Sequence, residues 1–134
     1  MSFGNTTEND LLEKIFKATA LSWDAVSNLT VHLHTGDPGE GGNSGTSECA
    51  YTSYAAVNVS RSGTGWTVSG NSVQNAALIQ FPQCTGSSET ATHFSVTPQS
   101  STQILIKGAL SASLAISSGI QPQFAPGALT ATLD

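Results

Sequence analysis

Hydrophobic positions repeat with two different periods along this chain, and the change falls near Trp23. Before it, Leu11, Leu12, Ile15, Phe16 and Thr19 recur at helical spacing and trace an apolar stripe, while Glu13 and Lys17 stand four residues apart on the solvated side. Thr7-Glu8-Asn9-Asp10 has the form of a capping box, in which a Thr hydroxyl accepts a backbone N–H and a carboxylate reaches back to the cap. Together these predict a helix over residues 8–20. Glu8 and Asp10 near its start and Lys14 and Lys17 nearer its end suit the helix dipole. An isolated helix of about 13 residues is marginal in water, so its stripe must pack against something. Its own sandwich and a neighbouring subunit are both open as partners.

After Trp23 the apolar positions alternate in short runs bounded by Gly, Pro, Asn and Ser, the signature of strands. The pattern predicts strands near 29–34, 55–60, 65–69, 72–74, 77–81, 93–96, 103–106, 114–116, 121–124 and 129–133. Turn chemistry at 62–65 and 69–71 joins neighbours as hairpins, whereas long loops at 36–47 and 85–90 separate others. That mixture suits a Greek-key or jelly-roll arrangement better than a meander. The expectation is an all-β fold, a jelly-roll-like antiparallel β-sandwich preceded by one short N-terminal α-helix. Residues 1–134 then form a single domain, with 1–23 as a helical arm and 24–134 as the sandwich. No fixed-period repeat points to a solenoid or propeller. Trp66, Phe81, Phe94 and Phe124 fall within strand patterns and read as core. Tyr51 and Tyr54 flank a strand entry, where a phenol can make a corner hydrogen bond or meet a partner.

Length and charge narrow the picture. A chain of 134 residues is large enough for one well-buried core. Seven of the nine acidic residues lie at or before Glu48, and residues 49–133 carry only Arg61, Glu89 and Lys107 as formal charges. The solvated faces of the strands are therefore covered by Ser, Thr, Asn and Gln, as in a subunit whose outer faces meet other subunits. A net charge of −5 and no cluster of Lys or Arg argue against nucleic acid. No apolar run approaches the ~20 residues of a membrane span, and Met1-Ser2-Phe3-Gly4 lacks the pattern of a secretory signal. Cytoplasmic synthesis is expected, with the three Asn-x-Ser/Thr matches discounted as chance. It follows that Cys49 and Cys84 read as small buried apolar residues rather than a disulfide.

Candidate chemistry is sparse. In loop 36–47, Gly36-Asp37-Pro38-Gly39 is turn chemistry, and Asp37, Glu40 and Asn43 supply oxygens. Their spacing lacks the alternation and closing bidentate Glu of a calcium loop, so a flexible contact loop at a subunit interface is the reading preferred. His32 and His34 share one strand face and could imitate a zinc site with Cys49, Cys84 or His93, yet no metal-ligand spacing supports one. Gly42-Asn43-Ser44-Gly45 lacks the strand-to-helix elbow of a hydrolase. Past Glu48 the only acids are Glu89 and Asp134, too few for a glycosidase cleft. No enzyme activity, metal or cofactor is expected.

The run from Val31 to Arg61, VHLHTGDPGEGG followed by SECAYTSYAAVNVSR, resembles a family of small tailed-phage virion proteins. The likeness continues through Gly65-Trp66-Thr67-Val68-Ser69-Gly70-Asn71, Ile79-Gln80-Phe81-Pro82, Ala91-Thr92-His93-Phe94, Gly108-Ala109-Leu110-Ser111 and Pro126-Gly127-Ala128-Leu129-Thr130, nearly the whole chain. Members of this family look like capsid decoration (cement) proteins or head and tail fibre components. The resemblance implies a bacteriophage structural protein in the virion, assembled in the host cytoplasm. Its first expected role is cementing the icosahedral head by binding the major capsid protein as a homo-oligomer on the virion surface. The alternative is a tail or head fibre component contacting the host surface. The residues expected to carry interfaces are Leu12, Ile15 and Phe16 on the helix and Asp37 and Glu40 in the loop.

Overall fold

Residues 1–133 are described by a computed structural model in which the chain enters its main sheet before it turns helical. Strand β1 (Ser2–Phe3) precedes helix α1 (Asn5–Lys17). The helix is 13 residues long, as expected, but lies three residues earlier than 8–20. Gly4, in extended conformation, is its N-cap, with no side-chain cap bond. It approaches Ile104 so closely that a Cβ would run into the Ile104 carbonyl oxygen, which calls for glycine here. The Asn5 N–H is taken by the Glu40 carbonyl at 2.9 Å. Thr7, the expected cap, is instead buried and donates its hydroxyl to the Ile104 carbonyl at 2.7 Å. A tertiary acceptor has displaced the local capping geometry. Ala18 ends the helix in the left-handed region (φ 56°), and the Thr19 N–H closes back on the Glu13 carbonyl at 3.2 Å, so Thr19 lies beyond the stripe it was assigned to.

The remaining strands are β2 (Asn28–His34), β3 (Val57–Ser60), β4 (Trp66–Ser69), β5 (Ser72–Asn75), β6 (Ile79–Gln80), β7 (Glu89–Pro98), β8 (Ile106–Ile116), β9 (Gln123–Phe124) and β10 (Thr130–Thr132). Every pairing is antiparallel. The five-stranded sheet runs β1-β8-β7-β2-β3, the three-stranded sheet β10-β5-β4, and β6 pairs with β9. The fold is mostly β with one short helix, and sandwich-like. Its strands divide five, three and two, and the finer jelly-roll arrangement is not part of what they show.

Most expected strands recur within two or three residues. The clearest difference is β8, one continuous strand over residues 106–116, where 103–106 and 114–116 were expected to be separate. Between them Ala109 to Ser113 are partly or fully exposed, so no buried face imposes a period-two apolar signal there. What holds them is pairing to β7, with a register shift between Ala91 and His93.

Along β2, Val31 and Leu33 point to the core that also contains Phe81, Ala91, Phe94, Val96 and Ile116, while His32 and His34 alternate to the other face. Tyr54 stacks on Phe81 at 6.3 Å between ring centroids, and Phe124 meets Phe81 edge-on at 6.2 Å. Trp66 and Phe124 pack partly buried against this cluster. Both thiols, Cys49 and Cys84, are free and buried in the same core. No helix among the described residues is long and apolar enough to cross a membrane, which says nothing of β-barrels.

Candidate docking surfaces

Helix α1 turns three of its four large apolar residues outward and keeps the fourth, Leu11, half-buried. Leu12, Ile15 and Phe16 are 56%, 69% and 77% exposed. The side of α1 that meets the body joins half-buried Leu11 to polar contacts: Thr7 bonds to Ile104, and Asp10 accepts from Gln103 Nε2 at 2.8 Å and from Trp23 Nε1 at 3.3 Å. Of the two partners left open by the sequence, the protein's own core is therefore not the one that covers Ile15 and Phe16. Glu13 and Lys17 pair at 3.0 Å on the solvated side.

Loop 36–47 lies against the other end of α1. Glu40 is exposed and joins the helix only through its backbone carbonyl, which accepts from Asn5. Asp37 is exposed, caps its own turn by accepting the Gly39 N–H at 2.9 Å, and pairs with Lys107 on β8 at 2.9 Å. The Gly39 bond and then Lys107 hold its carboxyl below the usual carboxylate range. Further bonds run from Ser44 N–H to the Thr102 carbonyl at 3.0 Å and from Thr35 N–H to the Ser47 carbonyl at 2.8 Å. The loop expected to be flexible is thus pinned along its length. Asp37 and Glu40 do not join Leu12, Ile15 and Phe16 in one patch through any side-chain contact; the backbone link at Asn5 is what connects the two regions.

Beneath this loop sits a buried polar network that sequence reasoning missed. His32 Nδ1 lies 2.6 Å from Glu48 Oε1, and His32 Nε2 lies 3.1 Å from Thr97 Oγ1. His34 Nδ1 lies 2.9 Å from the Thr46 carbonyl, and its Nε2 lies 2.8 Å from Ser95 Oγ. A carbonyl can only accept, so Nδ1 of His34 carries a proton, and in the neutral ring Nε2 accepts from Ser95. Burial, before any other cause, holds the His34 pKa below the usual imidazole range. Tyr54 donates to Glu48 at 3.0 Å and accepts the Leu33 N–H at 3.1 Å, extending the ladder of β2 past the point where β3 stops. Burial would raise the Glu48 carboxyl, but bonds from His32 and Tyr54 outweigh it and the net shift is downward.

Thr97–His32–Glu48 has the bonding order of a nucleophile, base and orienting acid, yet Thr97 and Ser95 are fully buried and no substrate can meet their hydroxyls. The network's output is mechanical: it locks the loop to β2 and β7. All four ring nitrogens of His32 and His34 are committed to protein partners. The available signal was the period-two pair His32 and His34, but their partners stand 12 to 65 residues away. Tyr51 makes a corner bond to the Pro82 carbonyl at 2.7 Å.

A third feature had no signal in the sequence. The two larger sheets diverge around an apolar groove of about 770 Å³. Phe3, Leu29, Val96 and Ile106 line it from the five-stranded sheet, Trp66, Val68 and Ala131 from the three-stranded sheet, and Thr7 and Leu11 from α1. Val68 and Leu133 at its lip are 74% and 51% exposed. Trp66 is part of the wall, and its indole N–H is buried without an acceptor. Arg61, also in the lining, lies 5.5 Å from the Trp23 ring centroid and donates to the Asp24 carbonyl at 2.6 Å, gathering the connector between α1 and β2.

The chain belongs to the Gp80 family, described as podophage GP4 fiber I protein gp80, whose profile matches residues 2–132. It is thus a phage structural protein of a fibre family. No curated protein matches the chain.

Proposed function

We propose that this protein is a virion subunit of a phage fibre and that it works by binding free energy rather than by chemistry. The observation that carries this reading is the match over residues 2–132 to a fibre protein family. The exposed Leu12, Ile15 and Phe16 and the open groove supply surfaces through which a subunit could be held in place. Modest single contacts suffice when many copies attach together.

Capsid decoration is the second reading. The described residues form a sandwich-like body whose longest helix has 13 residues, a shape suited to lying on a shell and bridging neighbouring capsomers of the major capsid protein. Quantitative mass spectrometry of purified virions and of tail-less heads separates the two. A few copies per virion, lost with the fibres, are expected for a fibre subunit. Copies in fixed ratio to the major capsid protein on tail-less heads would replace that reading with decoration. Absence from both particles would end both.

A further inference from the structure

We infer that the histidine-bearing face of β2 and β7 is an acid-operated latch, which holds loop 36–47 against the sheet at neutral pH and lets it go in mild acid while the β body stays folded. The inference concerns how the loop is held, and it stands whether the chain serves a fibre or decorates a head.

All three histidines of the chain lie on one face of the main sheet. His34 stands directly across the ladder from His93, and His32 across from Ser95, so the imidazoles share the side opposite Val31, Leu33 and Phe94. On β8, Lys107 stands across from Ser95 and extends the row. Loop 36–47 and Glu48 meet this face through titratable groups: His34 to the Thr46 carbonyl, His32 to Glu48, and Lys107 to Asp37.

A proton does most at His34. Its ring is fully buried, with Nδ1 donating to Thr46 at 2.9 Å and Nε2 accepting from Ser95 at 2.8 Å, a pattern only the neutral ring supports. A second proton turns Nε2 into a donor and displaces the Ser95 hydroxyl hydrogen. Among the described residues, Ser95 Oγ has no other partner to receive it. A proton on His32 is met by Glu48 Oε1 at 2.6 Å, whereas no carboxylate among the described residues touches His34. The groups that face His34 are His32, with ring centroids 6.4 Å apart, His93 from β7, and Glu48 from the segment after the loop. Full protonation sets the three imidazoles and Lys107 against Asp37, Glu48 and the exposed Glu40. Burial holds the His34 pKa below its ordinary 6.5, in keeping with this geometry, so the open form takes up the proton more readily than the closed one.

The loop gives way before the sheet. β2 is held on both sides, by β7 over Leu29 to His34 and by β3 over Asn28 to Val31. The loop depends on backbone bonds from Thr35 and Ser44 and on the Asp37–Lys107 pair, whose half-exposed carboxylate makes it worth little. Because the Glu40 carbonyl holds the Asn5 N–H, releasing the loop also frees the first turn of α1.

Amide hydrogen exchange on the full chain from pH 7.5 to 5.5, corrected for intrinsic rates, is the test. Asp37 and Glu48 stay ionised in this window, since both lie below their ordinary 3.8 and 4.5, so the imidazoles alone change charge around the loop. Protection of the Thr35 and Ser44 amides should fall by up to about tenfold per pH unit below about 6.5, while Val31 and Phe94 stay about a hundredfold better protected. His34→Asn, which keeps a donor for the Thr46 carbonyl and takes up no proton, should flatten the loop's response. Loop protection that does not change with pH overturns the inference, as does loss of loop and core protection together. So does a folded His34→Asn variant with the wild-type response. Imidazole NMR of the wild-type chain decides without any variant: His34 protonating in step with the loop's loss of protection supports the latch, and protonating while the loop stays protected overturns it.

Discussion

The Thr7 hydroxyl donates a 2.7 Å hydrogen bond to the carbonyl oxygen of Ile104, 97 positions away. This bond fixes where α1 starts and which face it turns to the body. Since Thr7 is buried, its replacement leaves the Ile104 carbonyl without that donor and Gln103 Nε2 without the acceptor it uses at 3.0 Å.

Thr7→Val is expected to lower unfolding free energy by about 1–3 kcal/mol, the cost of stranding buried polar groups. The exposed neighbour serves as control: Thr6→Val should stay within about 0.5 kcal/mol. Denaturant melts of the two variants decide the matter, and equal effects would show that Thr7 has no anchoring role.

Tyr54→Phe removes a hydroxyl that serves two partners, the Leu33 N–H and Glu48. A loss of about 1–3 kcal/mol is expected, because the Leu33 N–H is left unpaired at the end of the β2 ladder. Hydrogen exchange provides the local readout: the Leu33 amide should exchange faster in the variant, and unchanged protection would contradict the assignment.

Acid should weaken the fold in two stages. The folded pKa of His34 lies below its ordinary value of 6.5, chiefly through burial, so the unfolded chain takes up the proton first. Its stabilising contribution is whole above about pH 6.5 and declines as pH falls below that. Glu48 is lowered from its ordinary 4.5, and its contribution is present above that pH and lost as pH falls through the folded value. Each proton taken up on unfolding changes stability by at most about 1.4 kcal/mol per pH unit. Unfolding free energy measured from pH 8 to 4 should be level at first and then fall below about 6.5. A profile that is flat down to pH 5 would show that His34 is not held neutral.

Both thiols should be silent in the folded protein. Cys49 and Cys84 are free and buried, and burial pushes the Cys49 thiol up to about 12. A thiol-specific reagent at pH 8 is expected to titrate two groups per chain in denaturant and none before unfolding. Rapid labelling of the native chain would contradict the packing described for the core.

The period of the apolar pattern reported local structure well. It placed one helix of 13 residues before a run of short strands, and it put His32 and His34 on one face of β2. Resemblance carried by residues 31–61 and the segments after them pointed to the phage virion family that the match over residues 2–132 bears out. These features are written in neighbouring residues, because a helix or strand must present its apolar side chains at the spacing of its own backbone.

What the sequence could not disclose depends on partners far away along the chain. Capping chemistry at Thr7 was legible but lost to Ile104, and β8 runs unbroken through exposed residues because β7 supplies its hydrogen bonds. The same holds for the His32–Glu48 network under a pinned loop. A stripe such as Leu12, Ile15 and Phe16 shows only that one helix face is apolar. Whether that face is buried depends on which side meets the body, and here the polar contacts of Thr7 and Asp10 turn Leu12, Ile15 and Phe16 outward, while Leu11 helps line a groove that two sheets and the helix frame together.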